Sequence, residues 1–402
     1  MAERLNLVTF VGSADGFPTM LPAGTVLARA VLAGNRNHLR ELGAVGIDFP
    51  AIFDSAPDDM RSLVASYEAN HRMFRLDEAG HDLRLSYAAD PGLFSWLRGS
   101  RIERQALPYT IVSDVEVMRR FRKGELGSLA KVRQYHLPDI HSLVSLENAA
   151  EFLIHATRLA AEQLSWWAGE SWVQFIDITK ALLEREPALP KLLATVAGRP
   201  TMVNVLADQP LYYGMRTGLM PDAGTGVLLL YNFQWDEDNP RRFCIDLDDN
   251  SQLLVLHANV AAASGILCLA LGRALAGLAP PVLPIEIAPE QIVILALTDF
   301  HLSAARGHAN RLRRLGLRIA VELADKGLSN AIAGLKSRWQ PWFAVVGDNE
   351  AQASSLMFQP TWERTALSEA EFMARFGERI ARCRIDDYLA IRPPPFVVGA
   401  GS

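Results

Sequence analysis

Cysteine is scarce: Cys244, Cys268 and Cys383 are the only three in 402 residues, and no two form a C-x-x-C pair. That excludes a disulfide scaffold and a cysteine-rich zinc module, and it suits a reducing, cytoplasmic setting. Neither charge sign dominates, since 40 Lys+Arg stand against 45 Asp+Glu for a net charge of −5. Nucleic-acid binding by bulk charge alone is excluded, although a local basic patch is not. The opening MAERLNLVTFVGSADG has no basic start followed by an apolar core and no Arg-rich transit pattern, so no export signal is expected. Internal repeats and low-complexity tracts are lacking too. One uncharged run, Ser251 to Gly272, is long enough to cross about 30 Å of hydrocarbon. It holds Ser251, Gln252, His257, Asn259 and Ser264, and polar groups are costly at that depth, so a strand followed by a buried helix is expected and no membrane association.

What is present is core-forming material. Half of the residues are hydrophobic, and at roughly 100–200 residues per domain the length predicts two domains. Helical spacing of apolar residues runs from Leu27 to Gly43, followed by VGIDFPAIFD, which reads as a strand interrupted at Pro50. PYTIVSDVEVMRRF (108–121) and AKVRQYHLPDIHSLVS (130–145) read as two strands around the charged, turn-prone FRKGELGS. An amphipathic helix is expected from Leu146 to Trp166, and strands at 226–235, 242–247 and 252–258. Together these predict an α+β first domain of antiparallel strands with flanking helices.

Four prolines in LAPPVLPIEIAP (278–289) mark a linker. Beyond it, the apolar strands QIVILALT, LRIAVEL and PWFAVVGD alternate with helical segments, which predicts a small α/β domain on a mostly parallel sheet. Ser368 and Glu371 form an S-x-x-E capping box that opens a last helix, and the tail IRPPPFVVGAGS is expected to be extended. The expected domains are therefore 1–277 and 290–402, joined by 278–289.

The order of these motifs resembles the catalytic core and anticodon-binding domain of threonyl-tRNA synthetase, a class II aminoacyl-tRNA synthetase. GFPTMLPAGTVLARAVLAGNRNHLRELGAVGIDFPAIFD resembles the entry to that core and motif 1, with Pro50 at the motif 1 proline. LPYTIVSDVEVMRRFRKGELGSLAKVRQYHLPDIHSL resembles motif 2 without a gap, GMRT and YNFQWD resemble later core strands, and LRIAVELADKGLSNAI and PWFAVVGDNE resemble the anticodon-binding domain. The resemblance begins at the catalytic core, so neither the N-terminal accessory domain nor the editing domain of that family is expected here. It implies a class II α+β core with a small α/β anticodon-binding-like domain, and a homodimer joined through motif 1.

It also implies a site. Arg119 stands at the motif 2 arginine that holds the α-phosphate and the substrate carboxylate, and Tyr135 at the aromatic position over adenine. Lys131 replaces a second phosphate-binding arginine and loses its bidentate fork. Phe121 replaces the glutamate that meets the adenine amino group, although the loop still offers Arg122, Lys123 and Glu125. In motif 3 the arginine position is Ile266, and Arg273 lies two turns on, about 10 Å along the helix. These departures argue against ordinary ATP use.

At the family's cysteine and two histidines stand Asp90, His141 and His257, which implies a divalent metal. Two imidazoles and a carboxylate suit Zn²⁺ with an open position, and also Fe²⁺ or Mn²⁺. Asp139, Tyr213 and Gln234 match residues that contact or surround the substrate's amino group. Without the resemblance these ligands are too scattered to form a motif, and a lone strand histidine is ordinarily a hydrogen-bonded core residue. Arg311, Arg313, Arg314 and Arg318 read as a solvated surface, and SSLMFQPTWER replaces a basic strand, which weakens tRNA contact. Two readings follow: a repurposed enzyme acting on a small amino acid, by ligase-like activation or a metal-dependent reaction, and a non-catalytic regulatory or tRNA-binding subunit.

Overall fold

The computed structural model describes residues 1–385 apart from 79, 128, 210, 222–228, 261–262 and 278–279. The expected extended tail lies outside these residues. The chain divides into two compact units, Asn35–Ile266 and Met1–Gly34 together with Leu267–Ser402.

The larger unit is built on an eight-stranded sheet. Its strands in chain order are β1 (Val45–Gly46), β2 (Tyr109–Met118), β3 (Gln134–Ser145), β4 (Trp172–Thr179), β5 (Thr201–Leu206), β6 (Tyr213–Pro221), β7 (Tyr231–Asp236) and β8 (Leu253–Val260). They lie side by side as β5-β4-β6-β7-β8-β3-β2-β1. All neighbours are antiparallel except the two outermost pairs, β5–β4 and β1–β2. The central pairs match the expected antiparallel core, and the parallel edges are additions to it.

Burial follows position in the sheet. β2 alternates buried and half-buried residues, as a strand covered mainly on one side does, whereas β3 is buried continuously from Leu137 to Ser145. A long helix, Ala149–Ala168, sets Leu153, Ala156, Ala160, Leu164 and Trp167 on one buried face at helical spacing and stops at Gly169, whose φ of 64° suits a residue without a Cβ.

Three local expectations change. VGIDFPAIFD forms two short strands in different sheets: Val45–Gly46 joins β2, while Ile52–Asp54 pairs with Leu83–Leu85. Pro50, which has no N–H to donate, lies between them. The strand expected at 242–247 is instead the end of a short helix, Asp238–Arg242, followed by Cys244 at φ 51°; only Asp246–Leu247 pairs, with Arg101–Ile102. The helix wins because Asp236 Oδ1 accepts the amides of Asp238 and Asn239, and Pro240 fits its first turn. Finally, β4 and β5 were not anticipated.

In the other unit, strands β9 (Ile292–Ala296), β10 (Ile319–Leu323), β11 (Trp342–Val346), β12 (Met357–Pro360) and β13 (Leu367–Ser368) are ordered β10-β9-β11-β12-β13. The first three are parallel, as expected, and the last two are antiparallel additions. Every residue of β9 is buried. Leu302–Arg314 buries Ala305, His308, Ala309 and Leu312 on one face. The capping box is present: Ser368 Oγ accepts the Glu371 amide, and the Glu371 carboxylate accepts the Ser368 amide, opening the helix Glu369–Arg382.

The uncharged run Ser251 to Gly272 contains β8 and the start of the helix Ala263–Ala276. Among the described residues no helix is long and apolar enough to cross a membrane.

Candidate metal and amino acid site

The site is assembled by sheet register. Asp139 and His141, two apart on β3, share a face, and β8 sets Asn259 opposite the first and His257 opposite the second. The row continues outward as His257 to Gln234 on β7, Gln234 to Arg216 on β6, and Arg216 to Asp177 on β4.

Asp90 comes from outside the sheet, as the first residue of the helix Asp90–Leu97. Two contacts seat that helix start. The Ala89 amide donates to Asp139 Oδ2 at 2.8 Å. Gly92 lies so close to Phe49 that a Cβ there would stand 2.5 Å from the ring, so the D-P-G sequence needs its glycine for close approach.

Asp90, His141 and His257 thus converge. Asp90 Oδ1 is 3.1 Å from His257 Nδ1 and 3.8 Å from His141 Nε2, and the three donor atoms lie within 4.8 Å of one another. Their side chains are 8%, 1% and 3% exposed. Asp90 Oδ1 and His141 Nε2 are buried without a hydrogen-bond partner. Unsatisfied buried polar atoms are costly, and these two point at the same place. Ligands about 2.1 Å from a common ion would stand roughly 3.4 Å apart, so the donor set fits a divalent metal after small adjustments.

Electrostatics agree with the geometry. Burial disfavours the Asp90 carboxylate, yet the two histidines hold its pKa well below the usual range. Burial likewise disfavours a His257 imidazolium, and Asp90 and Asp236 overcome it, raising the imidazole pKa. Asp139 is raised, by burial first.

Gln234 flanks His257 and accepts a hydrogen bond from Tyr212 Oη at 2.8 Å. The Tyr212 ring centre is 5.3 Å from that of His257. The Tyr213 hydroxyl interacts with Arg216, while its neighbour Tyr212 stands against the histidine. Tyr212 lies just before β6, whose first residue is Tyr213, and a bulge between Tyr213 and Met215 shifts the register here. Sequence reasoning also missed Tyr67 and Tyr87, whose ring centres are 3.9 Å apart. Burial pushes the Tyr67 hydroxyl up to about 12 against the pull of Arg119. A Tyr-Tyr pair at 212–213 offered a choice that spacing alone could not make.

The phosphate side lies along the β2–β3 hairpin. Arg119 donates from Nε to the Tyr87 carbonyl at 3.1 Å and stands 5.8 Å from the Tyr135 ring centre, so these two expected residues are together. Phe121 carries the Arg72 guanidinium 5.1 Å and the Lys131 ammonium 4.7 Å from its ring centre. Glu125 takes both η nitrogens of Arg72, at 2.6 and 2.8 Å, and lies 3.8 Å from Lys131 Nζ. Ile266 is buried, and Arg273 is exposed farther along the same helix.

The four arginines of the smaller-sheet unit are not a uniform solvated patch. Arg318 is 2% exposed and donates to the carbonyls of Glu286, Ala288 and Cys383, while Arg311 pairs with Glu369 and Arg313 donates to the Ile319 carbonyl.

No family model matches the chain. It is 24% identical over 365 residues to the threonine–tRNA ligase of Methanoculleus marisnigri, an alignment that covers 88% of this chain and 58% of that protein. The chain thus spans a little over half the length of the relatives it matches. Among solved structures, the RNA binding domain of threonyl-tRNA synthetase from Cryptosporidium parvum superposes with a TM-score of 0.81 at 18% identity, covering 94% of this chain and 97% of that one. ThrRS-1, a threonyl-tRNA synthetase from Aeropyrum pernix, gives 0.75 at 15% identity, with 95% of each chain covered. In sequence the chain is similar to threonine–tRNA ligases, and its fold is the class II synthetase architecture of these threonyl-tRNA synthetase structures.

Proposed function

We propose that this chain binds a small amino acid in a metal-centred pocket and has departed from standard tRNA charging. The observation that carries the reading is the convergence of Asp90 Oδ1, His141 Nε2 and His257 Nδ1, the first two buried without hydrogen-bond partners. A bound divalent ion, Zn²⁺ before Fe²⁺ or Mn²⁺ for this donor set, supplies an open coordination position for a substrate's amino or hydroxyl group.

The chain's own residues supply the rest. Asp139, fixed by the Ala89 amide, offers a carboxylate to the substrate ammonium. Gln234, tied to Tyr212, borders the same space. Arg119, held by the Tyr87 carbonyl beside Tyr135, takes the substrate carboxylate or a phosphate. Lys131 is the weakened second cation.

Residues 1–277 form the synthetase-like core in this reading, and 290–402 the anticodon-binding-like domain. The named relatives act on tRNA, but several arginines of that domain here are engaged internally, so tRNA contact is weak. A non-catalytic regulatory or tRNA-binding subunit is the second reading, favoured by the engagement of Lys131 with Phe121 and Glu125.

Metal analysis of purified protein, joined to calorimetric titration with threonine and other small amino acids, tests the proposal. About one divalent metal per chain and metal-dependent amino acid binding are expected. Protein that stays metal-free after reconstitution overturns the metal reading; metal without amino acid binding favours the non-catalytic subunit.

A further inference from the structure

Asp236 has no exposed surface and lies at the end of β7, next to the row that carries the site. Its two oxygens divide their work. Oδ1 accepts the amides of Asp238 and Asn239, each at 2.9 Å; Oδ2 accepts Asn239 Nδ2 at 2.7 Å and receives His257 Nε2 at 2.8 Å. A buried carboxylate held by three N–H groups of its own turn is fixed in position and is not free to rotate away. Helix capping alone needs only the Oδ1 contacts. The contact with His257 spans 21 residues and serves no capping purpose.

We propose that Asp236 is a positioning residue for the metal centre, holding His257 with its Nε2 protonated so that the Nδ1 lone pair faces Asp90 and the ion. The inference rests on the metal reading above. With Nε2–H committed to Asp236, the neutral imidazole has its lone pair on Nδ1, 3.1 Å from Asp90 Oδ1, where the ligand set converges. Carboxylate partners of this kind orient a ligating imidazole and raise its basicity.

Asp236→Asn separates this role from capping. Its amide oxygen still accepts the Asp238 and Asn239 amides, but its NH₂ faces His257 and favours the opposite tautomer, with a proton on Nδ1 where the ion should bind. Titration of metal-free protein with Co²⁺, read by its visible ligand-field bands, is the measurement. Wild type should bind one Co²⁺, and Asp236→Asn should bind it about 10- to 100-fold more weakly. A second measurement avoids any folding defect: imidazole ¹⁵N NMR of Zn²⁺-loaded wild type should show His257 ligated through Nδ1, with an exchange-protected Nε2–H. Wild type that takes up neither ion defeats the metal reading and this inference with it. Normal uptake with folded Asp236→Asn matching wild type within about 3-fold, or ligation through Nε2, overturns the inference alone.

Discussion

Lys131 Nζ stands 4.7 Å from the centre of the Phe121 ring, on the stretch of hairpin where the resemblance places a phosphate-binding arginine and an adenine-reading glutamate. The lysine also faces Glu125 at 3.8 Å, and the Arg72 guanidinium lies against the same ring. Cation–π and ionic contacts of such solvent-screened groups are weak, so they bias the loop without sealing it. The larger effect is chemical. Phe121 cannot accept a hydrogen bond, and Ile266 is buried where a cation is expected.

Ordinary amino acid activation should therefore be poor. Losing one charge-assisted contact to a buried phosphate costs roughly 2–4 kcal/mol, about 30- to 1000-fold in rate. Threonine-dependent ATP–pyrophosphate exchange is expected to be undetectable or very slow. Robust exchange that Arg119→Ala abolishes would restore an ordinary synthetase.

The Glu125 clamp should respond to acid. Hydrogen bonds from the Arg72 side chain and the Arg122 amide lower its carboxyl pKa from 4.5 to about 2. A depressed folded-state value means that the clamp's contribution is complete above about 4.5 and fades as pH falls toward 2. Hydrogen exchange at the Arg122 amide should accelerate relative to its intrinsic rate over that window. In Glu125→Gln the window should vanish, and an unchanged profile would count against the clamp.

How much of this was readable in advance depended on whether the signal was local. The β2–β3 hairpin was legible because two long apolar strands flank a charged turn, and the helix Glu369–Arg382 because Ser368 and Glu371 stand at capping spacing. β5 was not: Met202, Val203 and Val205 are all exposed on an edge strand, so no buried face imposes a clear alternation. Asp90, His141 and His257 come from a helix start and two strands far apart in sequence, and only a resemblance linked them. Tyr67 and Tyr212 carry no local sign, and Asp236 shows only its capping spacing, since the ring contacts and the bond to His257 follow from tertiary packing.

Metal should stabilise the folded chain by mass action. At an ion concentration 100 times the dissociation constant the gain is about 2.7 kcal/mol. Thermal unfolding with Zn²⁺ after chelator treatment should show an upward shift that is lost in His141→Ala and in Asp90→Ala. Equal shifts in wild type and both variants would place the binding ion somewhere else.

The last expectation concerns the edge of the large sheet, where the resemblance implies subunit contact. β1 is only two residues long and ends the strand order, so its outer side has no strand partner among the described residues. Val45 on β1, Ile52 just beyond Pro50 and Tyr109 at the start of β2 are 41%, 45% and 38% exposed. Apolar side chains close to an open sheet edge gain from being covered, and a two-fold contact would present the same patch from both copies. A homodimer is therefore expected at micromolar concentration. Because a closed two-fold interface uses each residue twice, Ile52→Asp introduces two charges at once, with about 2 kcal/mol or more lost if Ile52 lies at the centre of the contact. Light scattering of wild type and Ile52→Asp across a dilution series should show a dimer that the substitution drives toward monomer about 30-fold more readily. A wild type that is monomeric throughout would remove the motif 1 contact from this chain, whereas a dimer indifferent to Ile52→Asp and to Val45→Asp would move the interface to another face.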